Sequence, residues 1–399
     1  MSRSIAVINA GSSSVKFALY DTEVPERCSF RGQVEGIGVK PCLKVTDADD
    51  RVVEERDVAA QGYDHGAAMR EIIATGRALL KGGTVAAFGH RVVHGGVKYD
   101  APVRVTEVVL NDLVKLEPLA PLHQPHNLAP IRAILKAAPE VPQIACFDTA
   151  FHRTQSSLAQ AFALPRRFAD EGVRRYGFHG LSYEFLTSRL KELAPDLADK
   201  RIVFAHLGNG ASLCAVKDGR SVASTMGFTA VDGLMMGTRC GSIDPGAILY
   251  MMQQHGMDAA AIEDLIYKKS GLLGVSGISS DMRALRASSD PAAKEAIALF
   301  VYRIVRELGS LVAALGGVDG LVFSGGIGEH DAATRAEVVE GSSWTGAKLD
   351  PEANQGAEGL ISREDSPVAI WVLPTDEERL IARRTVAMLQ RSAYRQGRP

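Results

Sequence analysis

Two stretches about half a chain apart repeat one pattern. VINAGSSSVKFALYD (7–21) and FAHLGNGASLCAVKD (204–218) each run through strand-like residues, a turn of small residues, a second strand-like run and an acid. Gly11 and Gly208 fall in register, as do Asp21 and Asp218. Two unrelated hairpins can match by chance. The reading that explains both is a pair of related α/β domains, each offering one turn to a shared ligand in a cleft. The 399 residues suit two domains, since one usually takes roughly 100–200.

The first domain is expected over 1–150, with the C-terminal helix 380–399 packing back on it, and the second over 151–379. Glycines cluster after strand-like runs, in FGHRVVHGG (88–96), AHLGNGAS (205–212) and VFSGGIGE (322–329), where positive φ and close backbone approach are useful. One long helix is legible. Asp290-Pro291 supplies an N-cap and a first-turn proline; Ile297, Phe300, Val301, Ile304, Val305, Leu308, Leu311, Val312 and Leu315 follow at helical spacing; Gly316-Gly317 ends it. A strand should begin at Gly320. The proline-punctuated EPLAPLHQPHNLAP (117–130) leads into the first domain's last helix, and QIACFDTAF (143–151) reads as a strand leading to the hinge.

Composition removes several classes. A net charge of −2 without a Lys/Arg cluster argues against a nucleic-acid partner. The five cysteines are scattered and never form CxxC, so they read as reduced thiols of a cytosolic protein. No apolar run reaches the roughly 20 residues of a membrane span, and a strand begins within the first residues, so neither membrane nor signal peptide is expected. There is no GxxxxGK[ST], GxGxxG or GxSxG. A P-loop, a dinucleotide fingerprint and a nucleophile elbow are therefore missing.

The twin turns suit phosphate, which wants backbone N–H donors, hydroxyls and a cation. Asn9 to Ser14, including Ser12 and Ser14, with Lys16 just beyond, supplies that set; His206 to Ser212 supplies it without a lysine. Either turn alone reads as well as a solvated hairpin, and Lys16 in strand alternation can simply face solvent. Gly325-Gly326-Ile327-Gly328 is either a tight connection or a place where a ribose lies against backbone. His90 and His94 have helical metal spacing in a strand context, where the two are too far apart to chelate. His179, in RRYGFHG, can serve structure or chemistry. Arg91 and Arg239, in glycine-rich loops, have room for a bidentate oxyanion. Asp148 closes an apolar strand, where a carboxylate needs a cation or hydrogen bonds. Asp281 and Arg283 are a capping acid with its local partner or a nucleotide wall, and Glu377-Glu378 suit a helix N-terminus.

Taken together, INAGSSSVKF, GHRVVHGG, FDTAFH, RRYGFHG, HLGNGAS, GLMMGTRCGSIDPG, GISSDMR, SGGIGE and TDEE resemble the acetate kinase family of the actin-like and sugar-kinase superfamily, in that family's order and over nearly the whole chain. The resemblance implies two ribonuclease-H-like (actin-like ATPase) domains with an interdomain catalytic cleft, in a cytoplasmic homodimer. It implies phosphorylation of acetate by ATP, with ADP returned and Mg²⁺ required, Mn²⁺ standing in for it. It marks Asn9 and Glu377 as metal-linked, and Lys16, Ser12 and Ser14 as phosphate contacts. His206, Leu207, Gly208, Asn209, Gly210, Asp281, Met282, Arg283, Gly326, Ile327, Gly328, Glu329 and His330 become nucleotide contacts. Arg91, Val93, Leu122, His123 and Phe178 become substrate contacts; Asp148, His179 and Arg239 become catalytic. The family pattern has Asn where Asp376 and His330 stand, Ser-Gly-Asp where Cys240-Gly-Ser242 stands, and a pocket proline where Ala230 stands. Ala230 would enlarge the acyl pocket, which makes propionate or another short acid the alternative substrate; an extra methylene discriminates by only about 1–3 kcal/mol. A non-enzymatic actin-like scaffold would share the twin turns without needing the two arginines, and a sugar kinase would need a base that a carboxylate acceptor does not.

Overall fold

The structure, a computed structural model, describes residues 3–11, 14–58, 62–121 and 123–396. The chain divides into two compact units, one of Met1–Ala150 with Asp376–Pro399 and the other of Phe151–Thr375.

The first unit is built on an eight-stranded sheet of β1 (Arg3–Ala10), β2 (Ser14–Asp21), β3 (Cys28–Glu35), β4 (Cys42–Asp47), β5 (Val52–Asp57), β6 (Thr84–Val92), β7 (Val103–Arg104) and β8 (Gln143–Phe147). Its order is β5-β4-β3-β2-β1-β6-β8-β7. The first five strands form an antiparallel meander, whereas β6 joins β1, and β8 joins β6, in parallel. Parallel neighbours need crossover connections, and helices His65–Leu79 and Gln124–Ala137 supply them. Ile72, Met69 and Ile134 from these helices close over Ile8, Val15, Phe17 and Leu43 of the sheet. The closing helix Glu377–Gln396 packs on β1 and β6. Gly89 of β6 permits that approach, because a Cβ there would stand 2.6 Å from both Ile381 Cγ2 and Thr385 Oγ1.

The second unit carries β9 (Ile202–Leu207), β10 (Ala211–Lys217), β11 (Arg220–Ser224), β12 (Gly320–Ser324), β13 (Gly359–Leu360) and β14 (Ala369–Val372). Their order is β11-β10-β9-β12-β14-β13, with β9, β10 and β11 antiparallel and β9, β12 and β14 parallel. The run β3-β2-β1-β6-β8 of the first unit thus has the order and strand sense of β11-β10-β9-β12-β14. The sequence echo is the β1–β2 hairpin repeated as β9–β10, and the ribonuclease-H-like reading of each half holds.

The long helix spans Pro291–Leu315, capped by Asp290 accepting from Ala292 N–H at 2.8 Å and ended by Gly316 in the left-handed region. Ile297, Phe300, Ile304, Leu308, Leu311, Val312 and Leu315 are buried as the spacing requires, while Val301 and Val305 flank the stripe half-buried. All five cysteines are free thiols. No helix among the described residues is long and apolar enough to cross a membrane.

Candidate active site

In the first unit the candidate residues gather at the carboxyl ends of the parallel strands, where open α/β sheets place ligands. Arg91 stands next to last in β6. Asp148 follows β8 directly, its N–H bonded to Val92 O at 3.1 Å. Asn9 is next to last in β1, and Glu377 opens the closing helix. The Arg91 guanidinium grips Asp148 with two bonds, Nε to Oδ1 at 3.1 Å and Nη2 to Oδ2 at 2.7 Å. Its Nη1 donates to Asn9 Oδ1 at 3.3 Å, and its Nε lies 3.4 Å from Glu377 Oε2. Asn9 Nδ2 in turn donates to Glu378 Oε1 at 3.1 Å.

The arginine's bidentate edge is therefore taken by an internal carboxylate only 1% exposed. Burial works against charge on Arg91, but Asp148 and Glu377 outweigh it and hold its pKa above the ordinary value. Burial pushes the Glu377 carboxyl up to about 7; Asp148 and Glu378 add to the rise against the pull of Arg91 and Lys16. Asp148 and Glu377 thus share one guanidinium, while Glu378 sits on Asn9 beside them.

Lys16 is opposite Asn9 in the β1–β2 register and exposed, so both side chains leave the same sheet face. Gly11 N–H closes the turn onto Ser14 O at 2.8 Å. Asn127 clamps the site's floor, accepting from Val93 N–H at 2.9 Å and donating to Ala10 O at 2.5 Å. Val93 is buried, and His123 occupies the N-cap position of the helix Gln124–Ala137. Ser12 and Leu122 lie outside the described residues.

In the second unit the turn between β9 and β10 holds Gly208, Asn209 and Gly210. A Cβ on Gly210 would stand 3.3 Å from His179 Nε2 and 3.8 Å from Arg239 Nη1, so both cation-forming side chains converge on this turn. A Cβ on Gly208 would stand 3.9 Å from Gly326 N, which brings the start of the helix Gly325–His330 to the same place. The glycines after β12 thus open a helix rather than a free turn. Gly325 has φ +76, and a Cβ there would stand 2.7 Å from Leu207 O. Arg239 is braced by Nη1 donating to Ala230 O at 3.0 Å, and Asn209 O accepts from Gly237 N–H at 3.0 Å. Phe178 is buried, its carbonyl bonded to His152 Nε2 at 2.9 Å.

Beside the turn lies a cavity of about 630 Å³ lined by Gly208, Asn209, Asp281, Met282, Arg283, Gly326, Ile327 and His330, all marked from the sequence, together with Ser280, Arg286 and Asp331. Its charges are mostly cancelled locally. Asp281 caps the helix Met282–Ala287 and holds Arg283 in two bonds; Arg286 pairs with Asp331 and Glu337. Such walls suit an uncharged ring and ribose, and the volume is within the usual range for small-molecule sites. His206 and Leu207 end β9 beside it. Gly328 is buried, and Glu329 turns inward, its Oε1 accepting from Gly325 N–H at 2.8 Å and Thr375 N–H at 3.3 Å.

The family model described as "Acetokinase family" matches residues 4–383. The acetate kinase of Rhodopseudomonas palustris (strain ATCC BAA-98 / CGA009) is 52% identical over 96% of this chain and 98% of the relative. That of Methylocella silvestris is 52% identical over 98% and 100%. Among solved structures, Porphyromonas gingivalis acetate kinase superposes with a TM-score of 0.86 at 38% identity, covering 97% of this chain and all of that one. A propionate kinase from Francisella tularensis superposes at 0.88 with 33% identity, covering 96% and 98%. With a matching model over almost its whole length, and relatives half identical from end to end, the chain belongs to the acetokinase family.

Proposed function

We propose that the protein catalyses reversible transfer of the γ-phosphoryl group of ATP to acetate, giving acetyl phosphate and ADP by in-line displacement. The observation that carries this reading is the convergence of His179 and Arg239 on the glycine turn at Gly210. Phosphoryl transfer needs alignment and stabilisation of charge on the transferring oxygens, and donors fixed around an accessible backbone turn supply both. Adenosine is assigned to the cavity beside Met282 and Ile327, with the phosphates at the glycine turns and Lys16. The acetate carboxylate is already a nucleophile at neutral pH, so no general base is required. Asp148, held by Arg91 in two charge-assisted bonds, orients rather than accepts a proton. Arg91, Val93, His123 and Phe178 are the proposed contacts of the acid.

Magnesium fits the oxygen-rich cluster of the first unit, where the side-chain oxygens of Asn9, Asp148 and Glu377 gather around Arg91 and that of Glu378 joins Asn9. A hard cation takes oxygen ligands and few of them from protein. Asn9 and Glu377 would hold it, or manganese in its place, and it would neutralise phosphate charge there.

A hydroxylamine trap with ATP, Mg²⁺ and short acids tests the reading. Acetohydroxamate should form only with the protein and ATP; no hydroxamate from any acid would overturn it. Propionate is the second reading, because position 230, whose carbonyl braces Arg239, carries alanine. Comparable kcat/KM for acetate and propionate is the expected outcome if this alanine widens the pocket, and a strong preference for acetate rejects that. The free thiols fit a cytoplasmic location. A homodimer is proposed through the helix Pro245–His255, which buries none of its residues and exposes Leu249, Tyr250 and Met252.

A further inference from the structure

His179 stands in the left-handed region at φ 57 and heads the helix Gly180–Leu193 without its side chain capping it. A non-glycine residue is uncommon there, and persists where its surroundings over-determine it. The surroundings are visible behind the ring. His179 Nδ1 lies 2.8 Å from Ser212 Oγ, and Ser212 Oγ is also hydrogen-bonded to Tyr183 OH. Ser212 and Tyr183 are both fully buried. The opposite ring nitrogen, Nε2, lies at the Gly210 turn, 3.3 Å from where a Cβ on Gly210 would stand, and Arg239 Nη1 lies 3.8 Å from the same point.

The chain of three groups has a direction. Burial raises the Tyr183 pKa well above the ordinary phenol value, so this hydroxyl keeps its proton and must donate it. Ser212 Oγ is the acceptor in reach. Having accepted there, Ser212 has its own hydrogen to place, and His179 Nδ1 takes it as a bare nitrogen. The reverse arrangement, with Nδ1–H donating to Ser212 and Ser212 donating to Tyr183, strands a buried phenol hydrogen without an acceptor, which is costly.

The neighbouring ring repeats the construction. His206 Nδ1 lies 2.9 Å from Ser182 Oγ, which lies 2.9 Å from Thr375 Oγ1, and the two imidazoles face each other with centroids 4.4 Å apart. Two imidazolium rings at that separation would repel, whereas two neutral rings, each backed by a buried serine, do not.

We propose that Tyr183 and Ser212 are positioning residues that hold His179 as the neutral tautomer with its proton on Nε2, aimed at the phosphoryl group in transfer. Histidine tautomers are set by the bond the other nitrogen makes, and here that bond comes from a serine that a phenol has already oriented. The inference rests on the phosphoryl-transfer reading above for its purpose, but the tautomer itself does not depend on it.

The test is ¹⁵N NMR of the full-length protein with labelled histidine, the His179 signals assigned from their loss in H179Q, beside steady-state kinetics of each variant. Wild-type His179 should show a protonated Nε2 and a hydrogen-bonded, unprotonated Nδ1. In Ser212→Ala the Nδ1 signal should move to that of an unbonded nitrogen. Its kcat should fall about tenfold or more, as loss of one oriented donor does, with both KM values within about twofold. Ser212→Thr should restore the signal and the rate. Tyr183→Phe, which keeps the serine, should give a smaller fall and serves where Ser212→Ala does not fold. A wild-type ring protonated on Nδ1, or a kcat loss with the Nδ1 signal unmoved, overturns the proposal. Absence of acyl phosphate from wild type would overturn the functional reading alone, leaving the tautomer assignment standing.

Discussion

At the scale of the residue, the two arginines are not equivalent. Arg91 is locked to a carboxylate 1% exposed, so removing it strands a buried charge. Breaking a buried pair from one side typically costs about 3–5 kcal/mol. Arg91→Ala should therefore lower Tm as well as raise the KM for acetate and cut kcat, and Arg91→Lys should rescue little, since an ammonium cannot make the paired bonds. Unchanged acetate kinetics in Arg91→Ala would remove it from the site. Arg239 has a backbone carbonyl and a thioether among its contacts, Ala230 O and Met236 Sδ. Arg239→Ala should reduce kcat by about 10³ or more, the scale of an arginine serving phosphoryl transfer. ATP affinity, measured by calorimetry, should change far less; an affinity loss without a kcat loss would reassign Arg239 to the nucleotide.

At the scale of the element, the closing helix matters because its first turn carries Glu377 and Glu378 to the site. Its seat is Gly89, and Gly89→Ala places a methyl 2.6 Å from Ile381 and Thr385. The helix must shift, so Tm and kcat should fall together, while Gly76→Ala, open on its helix face, should leave both unchanged; equal effects from the two would remove the helix seat from the account. This dependence shows what the sequence conveyed. The paired hairpins, the Asp290-capped helix and the strand closed by Asp148 were legible, because spacing and turn chemistry are local, whereas Arg91, expected in a glycine-rich loop, lies within β6. Most of the lining of the cavity beside Met282 and Ile327 was also legible. What stayed hidden was assigned by contacts distant in the chain. Ser182 and Ser212 look like ordinary small residues until folding sets them behind His206 and His179. Asn127 reads as a loop residue in a proline-rich stretch until its amide spans Ala10 and Val93. Of the adjacent acids Glu377 and Glu378, only the helix phase decides which one meets Arg91 and which meets Asn9. Glu329, marked as a nucleotide contact, spends its carboxylate on the backbone of its own unit.

At the scale of the whole molecule, assembly and acid tolerance are the open quantities. If two copies pair through the helix Pro245–His255, Leu249→Glu should yield a monomer in sedimentation velocity at unchanged Tm of the isolated chain; a dimer persisting in that variant would place the interface elsewhere. Acid tolerance follows from three buried histidines distributed over both units, His90 and His94 in one and His152 in the other. Burial pushes each down to about 4. The unfolded chain titrates its histidines near pH 6.5. Between those values the unfolded state takes up protons that the folded state refuses, so stability is complete above about pH 6.5 and drains away as pH falls toward 4. Each histidine contributes at most about 3 kcal/mol over that window. Glu377 acts with the opposite sign: its folded value of about 7 exceeds that of a free carboxylate, so it favours the folded state as pH falls through 7. Asp319, held down to about 2 chiefly by its bond to Arg201, enters only below the histidine window. Three groups against one should leave a net loss, read as a urea midpoint falling steadily from pH 6.5 to 4.5. Glu377→Gln removes the opposing group and should steepen that fall. A midpoint flat across the window in wild type, or a Gln variant with a shallower slope, would show that these histidines meet water or that Glu377 is ionised throughout.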